Sequence, residues 1–201
     1  ASSTATRLSH KIVMSLCVLL DLKLESWDIS AAFLEGFTFK EMERVFREKG
    51  LDIPKRRVYL KPPNNVWRLL RKIPNSNIHI SDMLAGWMCL ELLKCMYGLN
   101  DAPLAWQLCL ALFFRTVLMG TESKFDECFY FWMQKPGEPA AVASVHMDDT
   151  EVGGHDTFMN WAHQKMEEEF GTMKRQKLPM MHCGLRYSRE GEGGMKMDQD
   201  E

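Results

Sequence analysis

The chain has no Cys-x-x-Cys pair, no apolar run long enough to cross a bilayer, no internal repeat and almost no net charge. Each absence excludes something. Its six cysteines (17, 89, 95, 109, 128 and 183) lie scattered, mostly among apolar residues, which suits core packing in a reducing compartment and indicates neither a zinc knuckle nor a disulfide framework. The longest apolar stretch near the start, I-V-M-S-L-C-V-L-L (12–20), falls far short of the roughly 20 residues a membrane helix needs. No basic segment precedes it, so a secretion signal is not expected either, and the chain reads as intracellular, cytoplasmic or nuclear. With 25 basic against 27 acidic residues, overall charge neither demands nor excludes a polyanionic partner.

What is present is a globular chain of 201 residues, 46% apolar, with eleven phenylalanines to fill a core. Charge is unevenly spread. Residues 40–72 hold eleven Lys or Arg against four acids, a local charge of +7, which fits either a solvated face or contact with nucleic acid. The last twelve residues carry five acids and one lysine and read, with the glycines around them, as a disordered tail over 189–201. A first residue other than Met and a polar end suggest a segment of something longer.

Periodicity gives the elements. Apolar spacing predicts a helix over 5–20, alternation a strand over 24–29, and helix formers behind Ser30 a helix over 30–35. V-Y-L (58–60) is a strand stopped by two prolines, and 73–86 looks irregular. A long apolar helix starts near Pro103, with Asp101 as its N-cap, and ends by Gly120. Strands follow at 128–133, 141–147 and 150–153, then an amphipathic helix over 156–170 stopped by Gly171. The order favours an α+β fold, one sheet with helices on one face.

Within that frame, the stretch A-S-V-H-M-D-D-T-E-V-G-G (143–154) ends an apolar strand on two aspartates and resumes a strand at once. A hairpin tip tolerates such a pair for structural reasons alone. Asp28, however, also ends a strand, and if strands 24–28 and 141–147 are neighbours, Asp28 and Asp148 lie side by side. Converging carboxylates repel, and a divalent cation is the usual remedy; oxygen-only donors favour Mg²⁺. His146, Asp148, Asp149 and His155 would alternatively suggest a hydrolase metal site, without a supporting His-x-x-x-His anchor.

Four stretches occur in one order: W-D-I-S-A-A-F-L-E-G-F (27–37), V-Y-L-K-P-P (58–63), L-L-K-C-M-Y-G-L-N-D-A-P-L-A-W (92–106) and V-H-M-D-D-T-E-V-G-G (145–154). Together they resemble the reverse transcriptase of Ty1/copia-type LTR retrotransposons. M-E-E-E-F-G-T-M-K (166–174) and L-P-M-M-H-C-G-L-R-Y (178–187) resemble that family's passage into its thumb, so the likeness covers about residues 7–188.

The resemblance implies an RNA-directed DNA polymerase domain over 1–188: a right-hand palm with a ferredoxin-like antiparallel sheet, partial fingers and the start of a thumb. Its partners would be an RNA or DNA template-primer and deoxynucleoside triphosphates, with no membrane. Two Mg²⁺ ions, replaceable by Mn²⁺, would be held by Asp28, Asp148, Asp149 and the carbonyl of Ile29. Phe33 would pack under the sugar and select deoxynucleotides. Tyr97 and Gly98 would form a turn against the incoming nucleotide and template, His146 and Met147 would stand near the primer end, and His182, Cys183 and Gly184 would grip the primer. The sequence departs from the family where His146 replaces a tyrosine, Asn100 a lysine and Leu104 an arginine. The family's first fingers strands, RNase H and integrase have no counterpart in these residues. The alternative implied is therefore a catalytically inactive remnant that at most binds nucleic acid.

Overall fold

The computed structural model describes residues 3–75, 81–191 and 193–199. The chain divides into two compact units, one formed by 1–37 and 96–201, the other by 38–95. In chain order the elements are α1 (Arg7–Leu19), β1 (Lys23–Ile29), α2 (Ala32–Glu35), α3 (Phe39–Glu48), β2 (Val58–Leu60), α4 (Asn64–Leu70), α5 (Asp82–Ala85), β3 (Leu90–Leu92), α6 (Ala102–Thr116), β4 (Thr121–Glu122), β5 (Phe129–Lys135), β6 (Glu138–His146), β7 (Asp149–Gly154), α7 (Asp156–Phe170), β8 (Met173–Lys177), β9 (Met180–His182), β10 (Leu185–Glu190) and β11 (Gly194–Asp198).

The larger unit is α+β. Its six-stranded sheet runs β4-β5-β6-β7-β1-β8, with every adjacent pair antiparallel. β7 therefore lies between β1 and β6, which corrects the direct pairing of 24–28 with 141–147 considered from the sequence. Both faces of this sheet are covered, which corrects the expectation of helices on one face. Trp27 and Ile29 of β1, Ala141, Ala143 and Val145 of β6, and Val152 of β7 pack with Trp106, Leu110, Phe113 and Phe114 of α6 and Met159, Ala162, Met166 and Phe170 of α7. The alternate residues Leu24 and Val142 face the other way, onto Val13 and Cys17 of α1, Met180 of β9 and Tyr187 of β10. This alternation is the two-residue period of a strand applied to a sheet buried on both sides.

Two consecutive glycines end β7 because both layers close in there. A Cβ on Gly153 would run into the Cys17 sulfur of α1, and one on Gly154 would stand 2.9 Å from the Ala141 Cβ and 3.1 Å from the Met159 sulfur of α7. At its other end α1 is pinned by Asp126. One oxygen of that carboxylate accepts the Thr6 amide at 2.9 Å and the Ser9 hydroxyl, and the other accepts the Cys128 amide at 2.9 Å.

Asp101 occupies the N-cap of α6 without a side-chain capping bond. The segment read as a disordered tail continues instead as sheet: β10 pairs with β9 and β11 over most of its length.

The smaller unit holds α3, α4, α5 and the antiparallel pair β2–β3. α3 opens on a capping box: Thr38 Oγ1 accepts the Glu41 amide at 3.2 Å, and Glu41 Oε2 accepts the Thr38 amide at 2.7 Å. Its buried apolar residues include Met42, Pro62, Trp67, Ala85 and Cys95. Of the stretch expected to be irregular, 76–80 lies outside the described residues, and α5 occupies part of the rest.

Candidate functional site

Three cross-strand rows cross the α1-facing side of β1, β7 and β6. Leu24, Gly153 and Val142 form the first, Ser26, Glu151 and Ser144 the second, and Asp28, Asp149 and His146 the third. Side chains opposed in this way stand close enough to interact directly. The first row is apolar and the second is polar yet fully enclosed. The third is half-buried and lies at the open end of the sheet. Asp148 occupies the two-residue turn between β6 and β7, beside Asp149.

Asp28 and Asp149, 121 residues apart in the sequence, are thus opposed across β1 and β7, with Asp148 in the adjoining turn. Burial pushes the Asp149 carboxyl above its usual value, and the charges of Asp148 and then Asp28 push it the same way. Lys174, which faces Asp28 across β8, acts against them. Among the described residues, the group of three candidate ligands within 4.8 Å of one another that contains Asp149 joins it to His182 and Cys183, and no such group joins it to Asp28 and Asp148. The Ile29 side chain packs into the core on the opposite face, so toward this site it offers only main chain.

The turn is held in a costly conformation. Met147 has φ +59°, a left-handed value that two-residue hairpins usually assign to glycine, and its side chain is exposed. Its carbonyl accepts the indole Nε1–H of Trp106 at 2.9 Å, from a ring buried in the α6 core. Trp106 is in turn crowded by the chain leaving α2. A Cβ on Gly36 would lie 2.9 Å from the Trp106 amide nitrogen, so only glycine lets the two backbones pass. The motifs at 27–37, 92–106 and 145–154 therefore meet at Trp106, the first through its backbone and the last through its indole.

Phe33 and Tyr97 meet with ring centroids 4.9 Å apart, tilted by 47°. Tyr97 is half-exposed and precedes Gly98, whose φ of +93° the turn requires. Cys183 (φ +50°) and Gly184 (φ +75°) form the two-residue turn between β9 and β10. His182 points inward and is 2% exposed, with Nδ1 3.0 Å from the Ser26 hydroxyl. His155, weighed with His146 for a hydrolase site, is exposed at the far end of β7, so the strand separates it from Asp149.

Residues that sequence reasoning missed fill the second row. His10 of α1 places Nδ1 2.8 Å from Glu151 Oε2 and 3.0 Å from Ser144 Oγ, and Ser144 donates to the same carboxylate oxygen at 3.0 Å. Burial drives the His182 imidazole pKa down to about 3, helped by His10 and then His146; burial and His10 also lower His146, against the pull of Asp148. A signal existed: S-W-D, S-V-H and D-T-E each set polar residues two apart in otherwise apolar strands.

In the smaller unit all eleven basic residues of 40–72 are exposed. Some pair locally, as Arg47 with Glu43 at 2.8 Å and Arg57 with Glu91 at 3.9 Å. Lys40, Lys55, Arg56 and Arg57 line a pocket of about 160 Å³ with Phe39 and Leu93. No helix among the described residues is long and apolar enough to cross a membrane.

Comparison with family models, with characterised proteins and with solved structures finds no match for the chain.

Proposed function

We propose that the chain is the palm of an RNA-directed DNA polymerase, with part of the fingers and the start of the thumb, similar to that of copia-like retrotransposons. The observation that carries this reading is the opposition of Asp28 and Asp149 across β1 and β7, with Asp148 in the adjoining turn. Asp28, Asp148 and Asp149, with the Ile29 carbonyl, would hold two Mg²⁺ ions. Those ions, when bound, would lower the pKa of a primer 3′-hydroxyl and neutralise the triphosphate and leaving pyrophosphate. The chain's own residues do the rest. The Trp106–Met147 bond fixes the turn that carries Asp148. The Phe33–Tyr97 pair offers a flat apolar surface for a sugar, one that disfavours a 2′-hydroxyl. His182 is enclosed, so contact with the primer would fall to Cys183 and Gly184. The exposed cations of the smaller unit suit the phosphates of template and primer. On this reading the chain works inside the cell as one segment of a polyprotein with RNase H and integrase.

A second reading, an inactive remnant that binds nucleic acid, draws on His146 where the family has tyrosine and on the same exposed cations. Primer extension on oligo(dT)–poly(rA) with Mg²⁺ separates the two. The polymerase reading expects extension that Asp148→Asn abolishes. Primer–template binding without extension, even in Mn²⁺, would leave the remnant.

A further inference from the structure

Behind the carboxylates lies a second group of donors of a different chemical kind. His10 of α1, Glu151 of β7 and His182 of β9 each offer one ligand atom, and the three atoms lie within 4.8 Å of one another. All three residues are buried, Glu151 completely. Two of their polar atoms have no partner: Glu151 Oε1 and His182 Nε2. Leaving such atoms unsatisfied inside a protein is costly, and a carboxylate is the costliest of them. Among the described residues the ion-pair partner of Glu151 is His10 alone.

A fourth donor stands at the mouth. The Cys183 sulfur lies within 4.8 Å of a ring nitrogen of His182 and of one of His10. A pocket of about 280 Å³ between His10, His146, Cys183 and Gly184 leads in from solvent.

We propose that His10, Glu151, His182 and Cys183 bind a Zn²⁺-class cation that ties α1, β7 and the β9–β10 turn together. Two imidazoles, a carboxylate and a thiolate are donors for zinc or cobalt. Ser26 stands 3.0 Å from His182 Nδ1 and leaves Nε2 for the ion, and Ser144 stands 3.0 Å from His10 Nδ1, the nitrogen that also meets Glu151. The role is structural, and it stands whether or not the aspartates turn over nucleotides.

The test uses the full chain, stripped with a chelator and titrated with Co²⁺. The expected result is one Co²⁺ per chain with the intense visible absorption of tetrahedral cobalt and a near-ultraviolet thiolate band, displaced by Zn²⁺, and a higher melting temperature with Zn²⁺. Glu151→Gln and His182→Gln should weaken binding by more than the roughly 10- to 100-fold typical of outer-shell partners. Asp28→Asn should leave the cobalt spectrum intact. Should the two buried variants fail to fold, Cys183→Ser, at a half-buried turn position, must still remove the thiolate band. Absence of tetrahedral absorption with no zinc effect on melting would overturn the proposal. So would a cobalt spectrum lost in Asp28→Asn but kept in Glu151→Gln, or a thiolate band that survives Cys183→Ser.

Discussion

At the residue scale, single side chains decide whether a buried polar atom is a support or a penalty. Glu25 points away from the carboxylate row, into the side of the sheet covered by α7. Its Oε1 accepts Arg175 Nη2 at 2.9 Å, Arg175 Nε reaches its Oε2, and Trp27 Nε1 donates to Oε2 at 2.9 Å. Arg175 is fixed further by Asn160 of α7 at 2.8 Å. Arg175→Ala leaves that carboxylate buried and unpaired, and denaturant unfolding should register a loss of about 3–5 kcal/mol. Removing both charges together, as Glu25→Gln with Arg175→Met, should cost much less. Trp106→Phe deletes the bond to the Met147 carbonyl and leaves a gap where the larger indole was packed. Stability should fall by about 1–3 kcal/mol, the bond and the gap together. On the proposed function, incorporation should fall about tenfold, since about 1.4 kcal/mol of weaker positioning is a factor of ten. An unchanged rate would show that the turn needs no such tether.

At the element scale, the close approaches and the anchors make their own predictions. Gly153→Ala places a methyl group on the Cys17 sulfur, so α1 must shift. The cost should be about 1–3 kcal/mol by thermal unfolding, and the double variant with Cys17→Ala should recover part of it. The anchor of α1 is tested by pH. Burial would raise the Asp126 carboxyl, but the Ser9 hydroxyl and the Thr6 and Cys128 amides outweigh it and hold it below the usual carboxylate range. A carboxyl lowered in the folded state contributes stability that is full above its unfolded value, near 4, and is lost as pH falls through the lower folded value. Asp126→Asn should therefore flatten the acid limb of the stability curve below about pH 4 and leave its shape unchanged near neutrality.

Elements were legible where periodicity met a clear stop. α7 runs over the residues its apolar spacing marks, and the φ of +79° at Gly171 ends it. α3 was legible too but went unread: Phe39, Met42, Val45 and Phe46 keep helical spacing behind the capping-box sequence T-F-K-E. The partners of β1 were not legible, since strand order is set by long-range packing that no local window contains. For the same reason Asp28, Asp148 and Asp149 could be chosen from the sequence, while His10 and Glu151, 141 residues apart, could not be seen as neighbours.

At the scale of the whole molecule, near-zero net charge hides a division between a sheet unit with aspartates opposed across β1 and β7 and a smaller unit with exposed cations. On the proposed function, binding to primer–template should weaken steeply with salt, and replacing Lys55, Arg56 and Arg57 by alanine should lower the slope of log affinity against log salt by about 1 for each phosphate those cations neutralise. The central claim is that strands far apart in sequence build one nucleotidyl-transfer centre. The measurement that tests it most directly is incorporation of a single deoxynucleotide onto a pre-bound primer, wild type beside Asp28→Asn, with circular dichroism showing both folded. The account predicts incorporation by the wild type and a drop of about 100-fold or more in the variant, the scale on which removing one transition-state interaction acts. Equal incorporation by both chains, or none by the wild type while it holds the primer–template, would contradict it.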